Sequence, residues 1–108
     1  MRELIFRGKR LDSGEWVEGS LWINIDRPFI ISPGNCVGYP VDRATVGQYT
    51  GMNDKNGKRI FENGYMIIDK QTYKVLFDNG EYILKNIFNC DIIQLKNNSN
   101  IGVFVDEI

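Results

Sequence analysis

Three observations predict an all-β fold, either a small barrel or a sandwich. Short segments rich in β-branched and aromatic residues recur along the chain, turn-forming residues separate them at near-regular spacing, and no stretch shows a capped helical period, so any helix must be short. A length of 108 residues suits one domain with a modest core, and 43% hydrophobic with 25% charged residues is ordinary globular usage.

The N-terminal segment 2–9 is β-prone, the turn signal Leu11-Asp12-Ser13-Gly14 follows, and a second strand is expected over Glu15–Ile23. Trp16 and Trp22 are an even number of positions apart and share a face of a regular strand, while Gly19 between them predicts a bulge or a close backbone approach. Packing is the ordinary use of two such indoles, ahead of a stacking platform for bases. Residues 24–28 read as a loop in which Pro28 ends the strand register. Phe29–Ser32 is a brief strand, and 33–40, with two Pro and two Gly, is the least regular stretch and the best candidate for a partner-facing loop.

The stretch Val46–Met66 reads strand, turn, strand, turn, strand, with Asn53-Asp54-Lys55-Asn56-Gly57 as its central turn. A meander follows over 64–70, 73–78 and 81–85, with turns at Gln71-Thr72 and Asn79-Gly80. A type I′ turn at Asn79-Gly80 sets Phe77 opposite Tyr82, Leu76 opposite Ile83 and Val75 opposite Leu84. The same register opposes Asp78 to Glu81 and Lys74 to Lys85, like-charge pairs that cost on the order of tenths of a kcal/mol when exposed. A loop over 86–89, a strand over Cys90–Lys96, a polar turn over 97–100 and a last strand over Ile101–Val105 complete the chain.

Thirteen basic and fourteen acidic residues give a net charge of −1, without the basic stripe that non-specific nucleic-acid binding requires. Arg2, Arg7, Lys9 and Arg10 gather near the N-terminus, and Lys55, Lys58 and Arg59 surround the central turn; mixed, solvated surface charge accounts for both groups. Two cysteines and no histidine leave too few ligands for a four-ligand zinc site within one chain and no imidazole for a Ser–His or Cys–His pair. Residues 1–10 carry no apolar run, so a cytoplasmic protein with Cys36 and Cys90 as buried free thiols is expected, and no segment is long and apolar enough for a membrane span. No phosphate-cradling or dinucleotide motif occurs. Glu62 has Asp54 or Asp78 as possible spatial partners, but isolated carboxylates at turn boundaries are ordinarily solvated, and no enzyme is expected.

The residues Val46-Gly47-Gln48-Tyr49-Thr50-Gly51, then Asp54-Lys55-Asn56-Gly57-Lys58 and Ile60-Phe61-Glu62, resemble the signature of the YopX proteins of phages and prophages of Gram-positive bacteria. Ile5–Lys9 with Gly14–Val17 is similar to the family's N-terminus, and Ile101–Phe104 more weakly to its end. The resemblance implies an SH3-like barrel in the C-terminal half, residues 45–108, preceded by an N-terminal β-hairpin and loop extension over 1–44, in an accessory protein with no catalytic residues to transfer and no cofactor. Where the family continues Glu-Gly-Asp, this chain has Glu62-Asn63-Gly64, so no role of that Asp carries over, while Asn63-Gly64 still supports the turn.

Two binding readings follow. In the first a protein partner, phage or host, engages a barrel groove lined by aromatics such as Tyr49, Phe61, Tyr65 and Tyr82, with Glu62 beside it. In the second, Lys55, Lys58 and Arg59 at the hairpin tip contact nucleic acid with Tyr49 as neighbour. Self-association through a strand edge or the N-terminal hairpin is a third possibility.

Overall fold

A computed structural model describes residues 5–34 and 37–107. Arg2 and Cys36, both singled out above, lie outside the described residues. The fold is all-β, with antiparallel strands joined by tight turns and three single turns of 3-10 helix. The chain divides into two compact units, Met1–Tyr49 and Thr50–Ile108, a boundary that falls inside a strand of the signature stretch rather than before it.

Unit 1 contains β1 (Phe6–Lys9), β2 (Trp16–Asn24), β3 (Arg27–Ile31) and β4 (Gly38–Pro40), ordered β4-β3-β2-β1, and Gly47 and Gln48 of β5 (Gly47–Asn53) pair with Arg7 and Phe6. The β2–β3 connection is tighter than a five-residue loop. Ile25 and Asp26 both take positive φ, at 47° and 64°, the type I′ geometry of a two-residue hairpin, and Asn24 faces Arg27. Pro28 therefore lies within β3 opposite Ile23, one pair beyond the turn, a position that exchanges no ladder bonds with β2. Its carbonyl accepts from the Val41 amide at 3.2 Å. The irregular 33–40 stretch likewise ends in a strand, since Gly38–Pro40 pairs with Phe29–Ile31.

Gly19 is the close approach that its position between the tryptophans predicts. A Cβ there would sit 2.0 Å from the Ile31 carbonyl oxygen, a backbone atom that cannot swing away. Arg7 is buried on the β1 side of this sheet with its guanidinium 4.1 Å from the centre of the Trp16 ring. Asp42 caps the 3-10 turn Arg43–Thr45 by accepting from the Ala44 amide, and Thr45 Oγ1 accepts from the Lys9 amide at 2.8 Å, which fastens that turn to β1.

Unit 2 holds the rest of β5, its neighbour β6 (Arg59–Phe61), and a five-stranded sheet ordered β10-β9-β8-β7-β11 from β7 (Tyr65–Ile68), β8 (Gln71–Asp78), β9 (Glu81–Asn86), β10 (Ile92–Gln94) and β11 (Val103–Val105). The β8–β9 register is the one that Asn79-Gly80 dictates: Phe77 faces Tyr82, Leu76 faces Ile83, Val75 faces Leu84, Asp78 faces Glu81 and Lys74 faces Lys85. Both turn residues have positive φ, 50° and 81°. The preceding turn is Asp69-Lys70, not Gln71-Thr72. These two residues adopt φ of 49° and 66°, so β8 starts at Gln71 and pairs with Ile68.

Strand β10 is shorter than the expected Cys90–Lys96. Cys90 has φ 63° and donates its amide to the Asn86 carbonyl in the turn that leaves β9, and Leu95 opens a 3-10 turn. Cys90 is exposed, against the expectation of a buried thiol, because that turn lies at the sheet margin. Ile101 also falls outside the last strand, in a 3-10 turn, and is 53% exposed. Asn86 is a buried polar residue with its bonds made: its Oδ1 accepts from the Phe88 and Asn89 amides and its Nδ2 donates to Gln71. Ile60, Phe61, Met66, Val75, Leu84, Leu95 and Phe104 form the core of unit 2, each at most 2% exposed.

Gly19→Ala should lower the free energy of unfolding by about 2 kcal/mol or more, because the clash is with backbone. Gly57→Ala, where the Cβ meets open space but φ is +81°, should cost only about 1 kcal/mol. Urea unfolding of the two variants checks the order; equal losses would show that the approach at Gly19 relaxes.

Candidate functional site

The basic tip is held by a carboxylate. Asp54 sits at the base of the β5–β6 loop and is 6% exposed. Its Oδ1 accepts from the Asn56 and Lys58 amides, both at 2.9 Å, and its Oδ2 accepts from the Phe104 amide of β11 at 2.8 Å. Its own amide donates to the Lys58 carbonyl at 2.8 Å, and its carbonyl accepts from Gly57, the residue at positive φ. An Asp followed by two residues and a Gly is an Asx-turn signal, which makes the local role readable from sequence; the bond to Phe104, fifty positions on, is not. Desolvation by burial works to raise the Asp54 pKa, but the amides of Phe104, Lys58 and Asn56 together with the Lys58 charge outweigh it and hold the group below the usual carboxylate range.

Lys55, Lys58 and Arg59 are exposed around this loop. Lys58 is not a bare cation. Its ammonium lies 3.9 Å from Asp106 and 5.5 Å from the centre of the Phe104 ring, so its stem covers the core residue that Asp54 anchors. The Lys55 amide donates to the Gly102 carbonyl, fixing the other side of the loop to the same segment. Of the N-terminal basic residues, Arg7 is buried and Arg10 is engaged by Asp12 in a two-bond pair at 2.9 and 2.7 Å, with Tyr39 under its guanidinium. Arg7 and Arg10 thus serve packing, against the expectation of a solvated basic group.

The aromatics do not converge on one groove. Phe61 is 2% exposed and belongs to the core. Tyr65 faces Lys74 and Tyr82 faces Phe77; positions 74 and 77 of β8 differ by an odd number, so the two tyrosines stand on opposite faces of the sheet. Tyr82 packs edge-on against Phe77, ring centres 4.9 Å apart. Tyr49 is half-buried in β5 of unit 1, its amide bonded to the Ile5 carbonyl. Glu62 is half-buried in the Phe61–Gly64 turn, where Asn63 takes φ 71° and the Gly64 carbonyl accepts from Val75. Among the described residues no three His, Cys, Asp or Glu side chains gather in a metal-binding group.

Sequence reasoning missed the most exposed apolar feature. In the β2–β3 hairpin Trp22 is 51% exposed, Ile23 61% and Ile25 92%. Trp22 packs on Phe29 across the hairpin with ring centres 5.4 Å apart. On the opposite face Leu21, Ile23, Pro28 and Val46 line a cleft of about 260 Å³ with Asp26 and Arg43 at its rim, and the Arg43 guanidinium donates to the Asp26 carbonyl. The missing signal was the turn: without Gly or Asn at its centre, the hairpin read as a loop.

Asp54→Asn should cost about 2 kcal/mol, because its amide nitrogen would meet an N–H where the carboxylate accepted one. The folded-state pKa is depressed, so this stabilisation is complete above the ordinary aspartate value of about 3.9 and is lost as pH falls through the folded value. Unfolding free energies measured from pH 6 downward should therefore decline for the native chain, and the component due to Asp54 should be missing in Asp54→Asn; parallel curves would show that Asp54 titrates normally.

Among the described residues no helix is long and apolar enough to cross a membrane. Neither the curated proteins nor the solved structures contain a match to the chain. The family model described as YopX protein matches residues 6–105, from the first residue of β1 to the last of β11, and with the signature hairpin built around Asp54 the chain belongs to the YopX family.

Proposed function

We propose that this YopX-family chain is a non-catalytic phage or prophage accessory protein that works in the host cytoplasm as a small binding module for a protein partner. The family resemblance supports reading residues 45–108 as an SH3-like barrel. One observation supports a protein partner above others: the β2–β3 hairpin projects apolar side chains from both faces and from its tip. Ile25 is the telling residue. A β-branched side chain at φ 47° is strained, and at 92% exposure it receives no packing in return. Asn or Gly would make the same turn at lower cost. Trp22 with Phe29 supplies a rigid aromatic anchor, and the cleft beside Ile23 accepts an apolar side chain with Arg43 at its rim.

Nucleic acid at Lys55, Lys58 and Arg59 is the second reading, favoured by the exposure of all three on a rigid loop. The Lys58–Asp106 pair and the net charge of −1 weigh against it.

Ile25→Asn should raise stability by about 1 kcal/mol by relieving the strained turn, while weakening partner capture together with Trp22→Ser. A photo-crosslinking residue at position 25, used in prophage-induced cells, should yield a protein adduct that Trp22→Ser diminishes. Adducts unchanged by Trp22→Ser, or salt-dependent oligonucleotide binding abolished by Lys58→Glu with Arg59→Glu, would replace this reading with the second.

A further inference from the structure

The register of β8 and β9 writes a charge pattern on the outer face of the five-stranded sheet. Val75 and Leu84 are fully buried, so their side of the hairpin is the core side. Lys74, Leu76 and Asp78 point the other way, directly opposite Lys85, Ile83 and Glu81. Three successive pairs on one face are thus two lysines, two aliphatics and two carboxylates, Leu76 half-buried and Ile83 covered by its neighbours to 8% exposure. From lysine pair to carboxylate pair the separation is roughly 13 Å.

Within the chain this pattern is uncompensated. Among the described residues neither Lys74 nor Lys85 makes an ion pair, and each sits against the other across the strands. Asp78 is exposed, and Glu81 accepts only a long bond from Gln94, at 3.3 Å. Around the lysines the face is apolar: Tyr65 flanks Lys74 on β7, and Ile92, 58% exposed, flanks Lys85 on β10. A hollow of about 390 Å³ lined by Lys74, Leu76, Lys85, Ile87 and Cys90 leaves room beside the ammonium groups.

We propose that a second copy of this chain stacks on this face. A twofold axis lying between the sheets and crossing the strands at Leu76 and Ile83 reverses the strand direction. It sets Lys74 of one copy over Asp78 of the other and Lys85 over Glu81, with the half-buried Leu76 of each copy nearest the axis. The face is its own complement, which is what an isologous dimer requires. A phosphodiester strand laid on the lysines would run on to Asp78 and Glu81, and a uniformly acidic segment would meet the same repulsion. Five strands about 4.8 Å apart and about five residues of strand length give on the order of 400 Å² per copy, the size of a weak, reversible contact. Its four cross-copy ion pairs make it sensitive to salt.

Sedimentation velocity on the intact chain from micromolar to millimolar concentration tests this. The mass should rise toward a dimer with concentration, and less so at high salt. Lys74→Gln with Lys85→Gln removes the repulsion within one copy, so this variant should resist heat better yet associate at least about tenfold more weakly, an opposition that a purely structural role would not give. Lys74→Glu with Lys85→Glu, and separately Asp78→Lys with Glu81→Lys, should each be monomeric and should recover dimer mass when mixed. A native chain that stays monomeric at all concentrations, a Gln variant that associates as the native chain does, or folded charge-reversed variants that stay apart on mixing would overturn the proposal.

Discussion

The carboxylate of Asp54 is the interaction on which the signature half of the chain depends. Burying a charge is expensive unless hydrogen bonds replace its water, and here three backbone amides do so, two from its own loop and one from Phe104. The loop cannot open without exposing the Phe104 amide, and β11 cannot leave β7 without stranding the carboxylate. A five-residue turn and the last strand of the sheet therefore form one cooperative element. Thr50 adds to it within β5–β6, its buried hydroxyl donating to the Ile60 carbonyl at 2.8 Å.

This explains why the segment that marks the family offers little chemistry. Asp54, Gly57, Ile60 and Phe61 are occupied in closing the loop and filling the core, and Lys58 divides itself between Asp106 and Phe104. The surfaces we propose for partners lie elsewhere: the apolar β2–β3 hairpin in unit 1, and in unit 2 the outer sheet face with its lysine and carboxylate pairs.

How far the sequence could be read depended on the turns. Asn79-Gly80 fixes a type I′ hairpin by residue type alone, and every pair of β8 with β9 followed from it. Ile25-Asp26 and Asp69-Lys70 form the same kind of turn, but each pairs an Asp with a residue, Ile25 or Lys70, that does not favour positive φ, so residue type signals neither turn and Pro28 reads as outside its strand. Gly19 was legible because only a missing side chain tolerates the Ile31 carbonyl so close. The site was less legible than the fold. Which face Tyr65 and Tyr82 occupy depends on registers with different strands, and the burial of Phe61 and the reach of Asp54 to Phe104 are tertiary facts that no local pattern encodes.

Amide hydrogen exchange at Phe104 and Lys58 is the most direct test of the central claim. If Asp54 joins loop and sheet into one unit, both amides should exchange only with global unfolding, at the same free energy as the core strand β8. Exchange at Phe104 or Lys58 through a local opening, several kcal/mol below the value for Val75, would contradict it.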